Sequence, residues 1–140
     1  MFVRWVEEAE TGKQSLLDVL EENGVGCIAF SPLAQGLLTD RYLKGIPEDS
    51  RAAKPSGFLQ TSEITEEKIS KIKKLNQLAQ QRNQSLAQMA LAWLLKDKRV
   101  TSVLIGASSV EQLSNNLAAL NNVHFSADEL SAIEEVLRAA

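Results

Sequence analysis

The chain has 140 residues, 44% of them hydrophobic and 24% charged, with a formal net charge of −3; this is the profile of a soluble globular domain with one core. A weakly acidic chain without a basic stripe argues against nucleic acid as a partner, and its longest apolar runs, such as Met89 to Leu95, are too short to cross a membrane. Cys27 is the only cysteine, so no intrachain disulfide is possible, and with no signal or transit sequence after Met1 the expected location is cytoplasmic.

Residues 1 to 12 show no clear period and end on a Thr11-Gly12 turn signal. From Lys13 to Asn23, Leu16, Leu17 and Leu20 stand at helical spacing, and Gly24 follows as the residue just past the helix end. Val25 to Phe30 reads as a short strand buried on both faces, ended by Ser31-Pro32. A long loop then runs from Leu33 to about Ser62, rich in Gly and Pro, with one helical turn near Leu37 to Leu43. The next helix spans Glu63 to Asn83, with Thr65 as its N-cap and Ile64 with Ile69 as a hydrophobic staple. Its apolar stripe is Ile69, Ile72, Leu75 and Leu78, opposite Lys71, Lys73 and Lys74. Ser85 with Gln88 opens a helix from Leu86 to Lys96, and Thr101 to Ile105 forms a second strand. Two further capping boxes, Ser109 with Gln112 and Ser126 with Glu129, start helices that run to about Leu120 and Arg138.

Strands separated by helices predict an α/β fold with a parallel sheet. Only two strands are evident, and two cannot close a barrel or cover a doubly wound sheet. The expectation is a fragment.

Three segments have the chemistry of a ligand site, and each also has a plainer reading. Phe30 to Gly36 leaves the C-terminal end of a strand, where α/β folds place ligands; it equally suits a simple strand-terminating turn. Gly106-Ala107-Ser108-Ser109 joins a strand to a helix start, offering amides and hydroxyls to an anion, or just a capped turn. Arg41 and Arg51 could pair with phosphate, or lie solvated in the loop beside Tyr42. His124, the single histidine, has no partners for a metal site and reads as a surface or half-buried residue. Cys27 reads as buried and inert, and Trp93 as a core residue.

The run from Gly24 through Phe30-Ser31-Pro32-Leu33-Ala34-Gln35-Gly36 to Thr39 resembles the seventh strand and following loop of the aldo-keto reductases. Arg41-Tyr42, Gly45-Ile46-Pro47 and Ser50-Arg51 extend the match, as do Val103 to Ser108, Glu111-Gln112-Leu113 and Asn115-Asn116. The branch it is most similar to holds the potassium-channel beta subunits and the bacterial glyceraldehyde 3-phosphate reductases. The resemblance covers the chain from about Gln14 onward.

That resemblance implies the C-terminal portion of a (β/α)8 TIM barrel, strands seven and eight with their surrounding helices, incomplete as a barrel. Residues 1–140 would then be one partial NADP(H)-binding domain. Phe30 would face the nicotinamide, and Ser31, Pro32, Leu33, Ala34, Gln35 and Gly36 would line the pyrophosphate. Arg41, with Tyr42 beside it in the cofactor loop, and Arg51 would serve the phosphates. Gly106, Ser108 and Gln112 would hold the 2′-phosphate end, and Asn115 and Asn116 would meet the adenine. Asp40 departs from a glycine common in relatives, and a carboxylate beside phosphates must point away or weaken binding.

The tyrosine, lysine, aspartate and histidine that serve catalysis in this family would lie in earlier strands. Neither Tyr42 nor His124 carries over to that set, so no catalytic residue and no metal ligand is assigned. The implied role is part of a reductase of small aldehydes or ketones, inactive alone, with a carbonyl substrate only if an N-terminal half completes it. Self-association or a complementary chain is expected. The alternatives are a non-catalytic nucleotide-binding or protein-interaction module, or a truncated remnant.

Overall fold

The computed structural model describes residues 14–40, 43 and 64–138. Ser15 caps the first helix, α1 (Leu16–Glu22), accepting from the Asp18 amide at 3.2 Å while Asp18 Oδ2 accepts from the Ser15 amide. Gly24, at φ +64°, ends it in the left-handed region where a Cβ is penalised.

Strand β1 (Cys27–Ala29) pairs in parallel with β2 (Val100–Val103). Both are shorter than the apolar runs that predict them. The register steps from Cys27↔Val100 to Ile28↔Ser102, which leaves Thr101 as a bulge. Its hydroxyl accepts the Cys27 amide at 3.1 Å. Between the strands come α2 (Glu66–Gln81), capped by Thr65, and α3 (Leu86–Leu95), opened by the reciprocal Ser85–Gln88 box. After β2 follow α4 (Val110–Leu117), a 3₁₀ turn (Ala118–Asn121) and α5 (Ala127–Arg138).

The core is helical. Ile72, Leu75 and Ala79 of α2, Leu86 and Met89 of α3, and Ile133 of α5 bury together with Leu38. Ile69 and Leu78, also expected on this stripe, pack partly buried at its margin. The staple pair Ile64 and Ile69 shares a second apolar cluster with Leu37.

The expectation of strands buried on both faces is corrected. α3 lies over β2, and the paired Ala29 and Val103 are half-buried, but Ile28 and Leu104 are 60% exposed and Phe30 79%. Among the described residues the sheet has these two strands, so its other face meets no covering layer. Cys27, expected buried, is half-buried for the same reason.

Of the helical turn expected near Leu37 to Leu43, Asp40 is in 3₁₀ geometry and its carbonyl accepts the Leu43 amide at 3.1 Å, and a further 3₁₀ turn precedes it at Ala34–Gly36. The Ser109–Gln112 box forms only in half. Ser109 Oγ accepts the Gln112 amide, but the Gln112 side chain reaches past Ser109 to Ser108. His124 is exposed and Trp93 half-buried against the core. Among the described residues no helix is long and apolar enough to cross a membrane, and no His, Cys, Asp and Glu cluster could hold a metal.

Candidate functional site

Because β1 and β2 are parallel and adjacent, the segments that leave their C-terminal ends emerge at the same end of the sheet. Leu104 donates its amide to the Ala29 carbonyl at 2.8 Å, carrying the ladder to the start of both segments. Phe30–Gly36 and Gly106–Gln112 thereby depart from the same end of the sheet.

The first segment is backbone-strained. Ser31 (φ 52°), Ala34 (φ 47°) and Gln35 (φ 58°) occupy the left-handed region without being glycine, and Gly36 (φ 99°) follows them. Each such residue costs roughly 1–2 kcal/mol, and clusters of this kind accompany ligand-binding loops. Local bonds hold the strain in place. Ala34 donates to the Ser31 carbonyl, Gly36 and Leu38 donate to the Leu33 carbonyl, and Thr39 Oγ1 donates to the Gly36 carbonyl at 2.6 Å. Two buried side chains anchor it, Pro32 within the loop and Leu38 in the helical core. Phe30, by contrast, projects its ring into solvent. Asp40 is exposed.

The second segment is a helix start at which Ser108 and Gln112 are bonded to each other. Gln112 Oε1 accepts from the Ser108 amide at 2.7 Å and from the Ser108 hydroxyl at 3.0 Å. An anion arriving at Ser108 must therefore replace the Gln112 side-chain oxygen. Gly106 is open, with nothing within 4 Å of where a Cβ would stand.

Further along α4 the two asparagines differ. Asn115 is tied to α3: Gln88 Nε2 donates to its carbonyl at 2.9 Å and to its side-chain oxygen at 3.0 Å. Asn116 is 3% exposed, and its Nδ2 is buried with no hydrogen-bond partner among the described residues. A buried donor left unpaired costs about 1–3 kcal/mol. Arg41, Tyr42 and Arg51 lie outside the described residues.

One supporting residue, Arg82, was not singled out from the sequence, and another, Gln88, was expected only as the capping partner of Ser85. Gln88 serves twice, as the capping-box partner of Ser85 and as the tie to Asn115. Arg82, at the end of α2, has a side chain only 3% exposed. It stacks 3.7 Å from the Phe125 ring centroid, donates to the carbonyls of Asn122 and His124, and pairs with Glu129 at 2.6 Å. It thus fixes the link between α4 and α5. The Ser126 amide chiefly, and then Arg82, hold the Glu129 carboxyl below its ordinary pKa. At the opposite end of the sheet, Arg99 joins Asp97 and Asp18 and lowers both carboxyls; for Asp18 the Ser15 hydroxyl is the larger cause.

Residues 6–138 match the sequence profile of the aldo/keto reductase family. Over 135 residues the chain is 56% identical to L-glyceraldehyde 3-phosphate reductase of Escherichia coli O157:H7, and to the same degree to that of E. coli strain K12. Each match covers 94% of this chain and 38% of the relative, so the chain spans well under half the length of these relatives.

Proposed function

Since this chain belongs to the aldo/keto reductase family, we propose that it forms the C-terminal, NADP(H)-binding part of a (β/α)8 barrel, with β1 and β2 as its seventh and eighth strands. The observation that carries this reading is the delivery of the strained loop and the open helix start to one end of a parallel pair. Phosphate sites of such barrels commonly follow strands seven and eight.

The donor set fits the cofactor. The exposed ring of Phe30 offers a flat apolar face to the nicotinamide. Ser31 to Gly36 present main chain, a hydroxyl and an amide side chain to the pyrophosphate, with Arg41, next to Tyr42, and Arg51 supplying positive charge. Gly106 leaves room for close approach, and Ser108 with Gln112 receives the 2′-phosphate by exchanging an internal hydrogen bond for one to the ligand. Asn115 and Asn116 are assigned to the adenine. NADPH held by these residues would supply a hydride to a carbonyl carbon. The work of this chain is to hold and orient the cofactor, and we assign it no catalytic residue. The relatives' name points to a phosphorylated three-carbon aldehyde as the substrate class of the completed barrel.

Calorimetry on this chain, fused to the part of the E. coli relative it does not cover, tests the assignment. NADP(H) should bind at least about tenfold more tightly than NAD(H), a difference of about 1.4 kcal/mol. Ser108→Asp should abolish the preference by placing a carboxylate where the 2′-phosphate docks. Equal affinities for the two cofactors, or a preference unmoved by Ser108→Asp, would sink the assignment.

A further inference from the structure

Gln88 lies in the first turn of α3, between Ala87 and Met89, both buried. The turn that carries it is thus anchored in the interior, and its half-buried side chain reaches across to α4. The two ends of that side chain meet main-chain groups of fixed polarity. Gln88 Oε1 accepts the Ser85 amide at 2.9 Å, and Nε2 donates to the Asn115 carbonyl at 2.9 Å. An amide N–H only donates and a carbonyl only accepts, so Gln88 cannot be turned end for end. Nε2 also donates to Asn115 Oδ1 at 3.0 Å, which takes its second hydrogen.

Asn115 itself is exposed. The terminal torsion of a free asparagine is broad, and its two main orientations exchange oxygen for nitrogen. The bond from Gln88 selects one of them. Oδ1 faces Nε2, and Nδ2 turns to Ser85 Oγ at a long 3.5 Å. Reversing the Asn115 amide would set two N–H donors against each other. The edge of an adenine base carries both donors and acceptors, so a side chain serving it must offer the matching atom. A group already held in one orientation loses less freedom when the ligand arrives.

We infer that Gln88 is a positioning residue for the adenine end of the cofactor site, holding the Asn115 amide in one orientation from the anchored start of α3. The inference rests on the assignment of Asn115 to the adenine under the proposed function. Gln88 acts through Asn115. Its capping role is separable, because the cap uses Oε1 and the tie uses Nε2.

Two substitutions separate these roles. Gln88→Glu keeps an oxygen for the Ser85 amide, since glutamate serves this place in a capping box, but has no hydrogen for Asn115 at neutral pH. Gln88→Met lacks both ends and adds no charge. What the two share is loss of the tie to Asn115. In the protein fused to the uncovered part of the E. coli relative, calorimetry should show NADP(H) binding weakened about three- to tenfold by either, the range for one lost hydrogen bond. Adenosine 2′,5′-bisphosphate, which has the adenine but no nicotinamide, should lose the same factor. In an Asn115→Ala background either Gln88 substitution should change affinity by less than about twofold, because the residue it acts through is gone. Gln88→Glu, with its cap intact, should keep the helical circular dichroism of the parent. If Asn115→Ala alone leaves NADP(H) affinity unchanged, the adenine assignment fails and the inference with it. If Asn115→Ala weakens binding while the Gln88 variants bind like the parent, the assignment stands and the positioning role is overturned. Gln88 effects of full size in the Asn115→Ala background overturn it equally.

Discussion

Gly26 sits where the chain has no space for a side chain. A Cβ there would stand 2.7 Å from Thr101 Oγ1, the same oxygen that accepts the Cys27 amide at 3.1 Å. Gly26→Ala must displace that hydroxyl and the bulge with it, at a cost of about 1–3 kcal/mol typical of overpacking. Urea titration should show the loss, and Thr101→Ala in the same chain should recover part of it. Equal stability of Gly26→Ala and the parent would mean that the bulge is not the constraint. An isolated glycine in a strand signals close approach, but its partner lies 75 positions away and no local pattern names it. Arg82 was hidden in the same way: a charged residue at a helix end reads as solvated until Phe125 and Glu129 are seen to enclose it. The strain at Ser31, Ala34 and Gln35 was also illegible, because none of the three is glycine.

Helices were far more legible than strands, because a cap and a 3.6-residue period are both local signals. Thr65, Ser85 and Ser126 cap where the sequence places them, and Gly24 ends α1. Ser109 caps there too, accepting the Gln112 amide, and only the reciprocal bond is displaced by one residue, since the Gln112 side chain accepts from Ser108. Strand lengths depend on neighbouring strands, so runs of six and five residues give strands of three and four, with three residues paired in each. The start of α5 gives an acid-side prediction. Glu129 is held below its ordinary value of 4.5 first by the Ser126 amide and then by Arg82. A carboxyl depressed in the folded state contributes stability that is present above its unfolded pKa and lost as pH falls through the folded one. The melting temperature should thus decline as pH drops below about 4.5, together with contributions of the same sign from Asp97 and Asp18. Glu129→Gln keeps a capping side chain without the charge and should make that decline shallower. Parallel melting curves for the two proteins below pH 4.5 would rule out a stabilising role for the pair.

At the scale of the molecule, the helical layer is largely self-sufficient and the sheet is not. α2, α3 and α5 bury a shared core around Leu75, Leu86, Met89 and Ile133, leaving a cavity of only about 40 Å³ beside Trp93. The strand deficit was legible in the sequence, since two apolar runs among five helical segments cannot close a sheet. That one face would lack cover followed from the same deficit, but which side chains stand on it depended on register and was not legible. Ile28 and Leu104 project from the uncovered face at 60% exposure each, and exposed apolar area forfeits roughly 25 cal/mol per Å². A protein built this way should hold a stable helical layer beneath a surface that attracts apolar probes. The isolated chain is therefore expected to enhance the fluorescence of a hydrophobic dye while keeping native helical circular dichroism. Ile28→Thr with Leu104→Thr places β-branched strand formers at both positions but removes apolar area, so it should lower dye binding without lowering helix content. Dye binding unchanged by that pair would shift the sticky surface elsewhere, and a sharp cooperative melt with no dye binding would show that these side chains find cover within the chain itself.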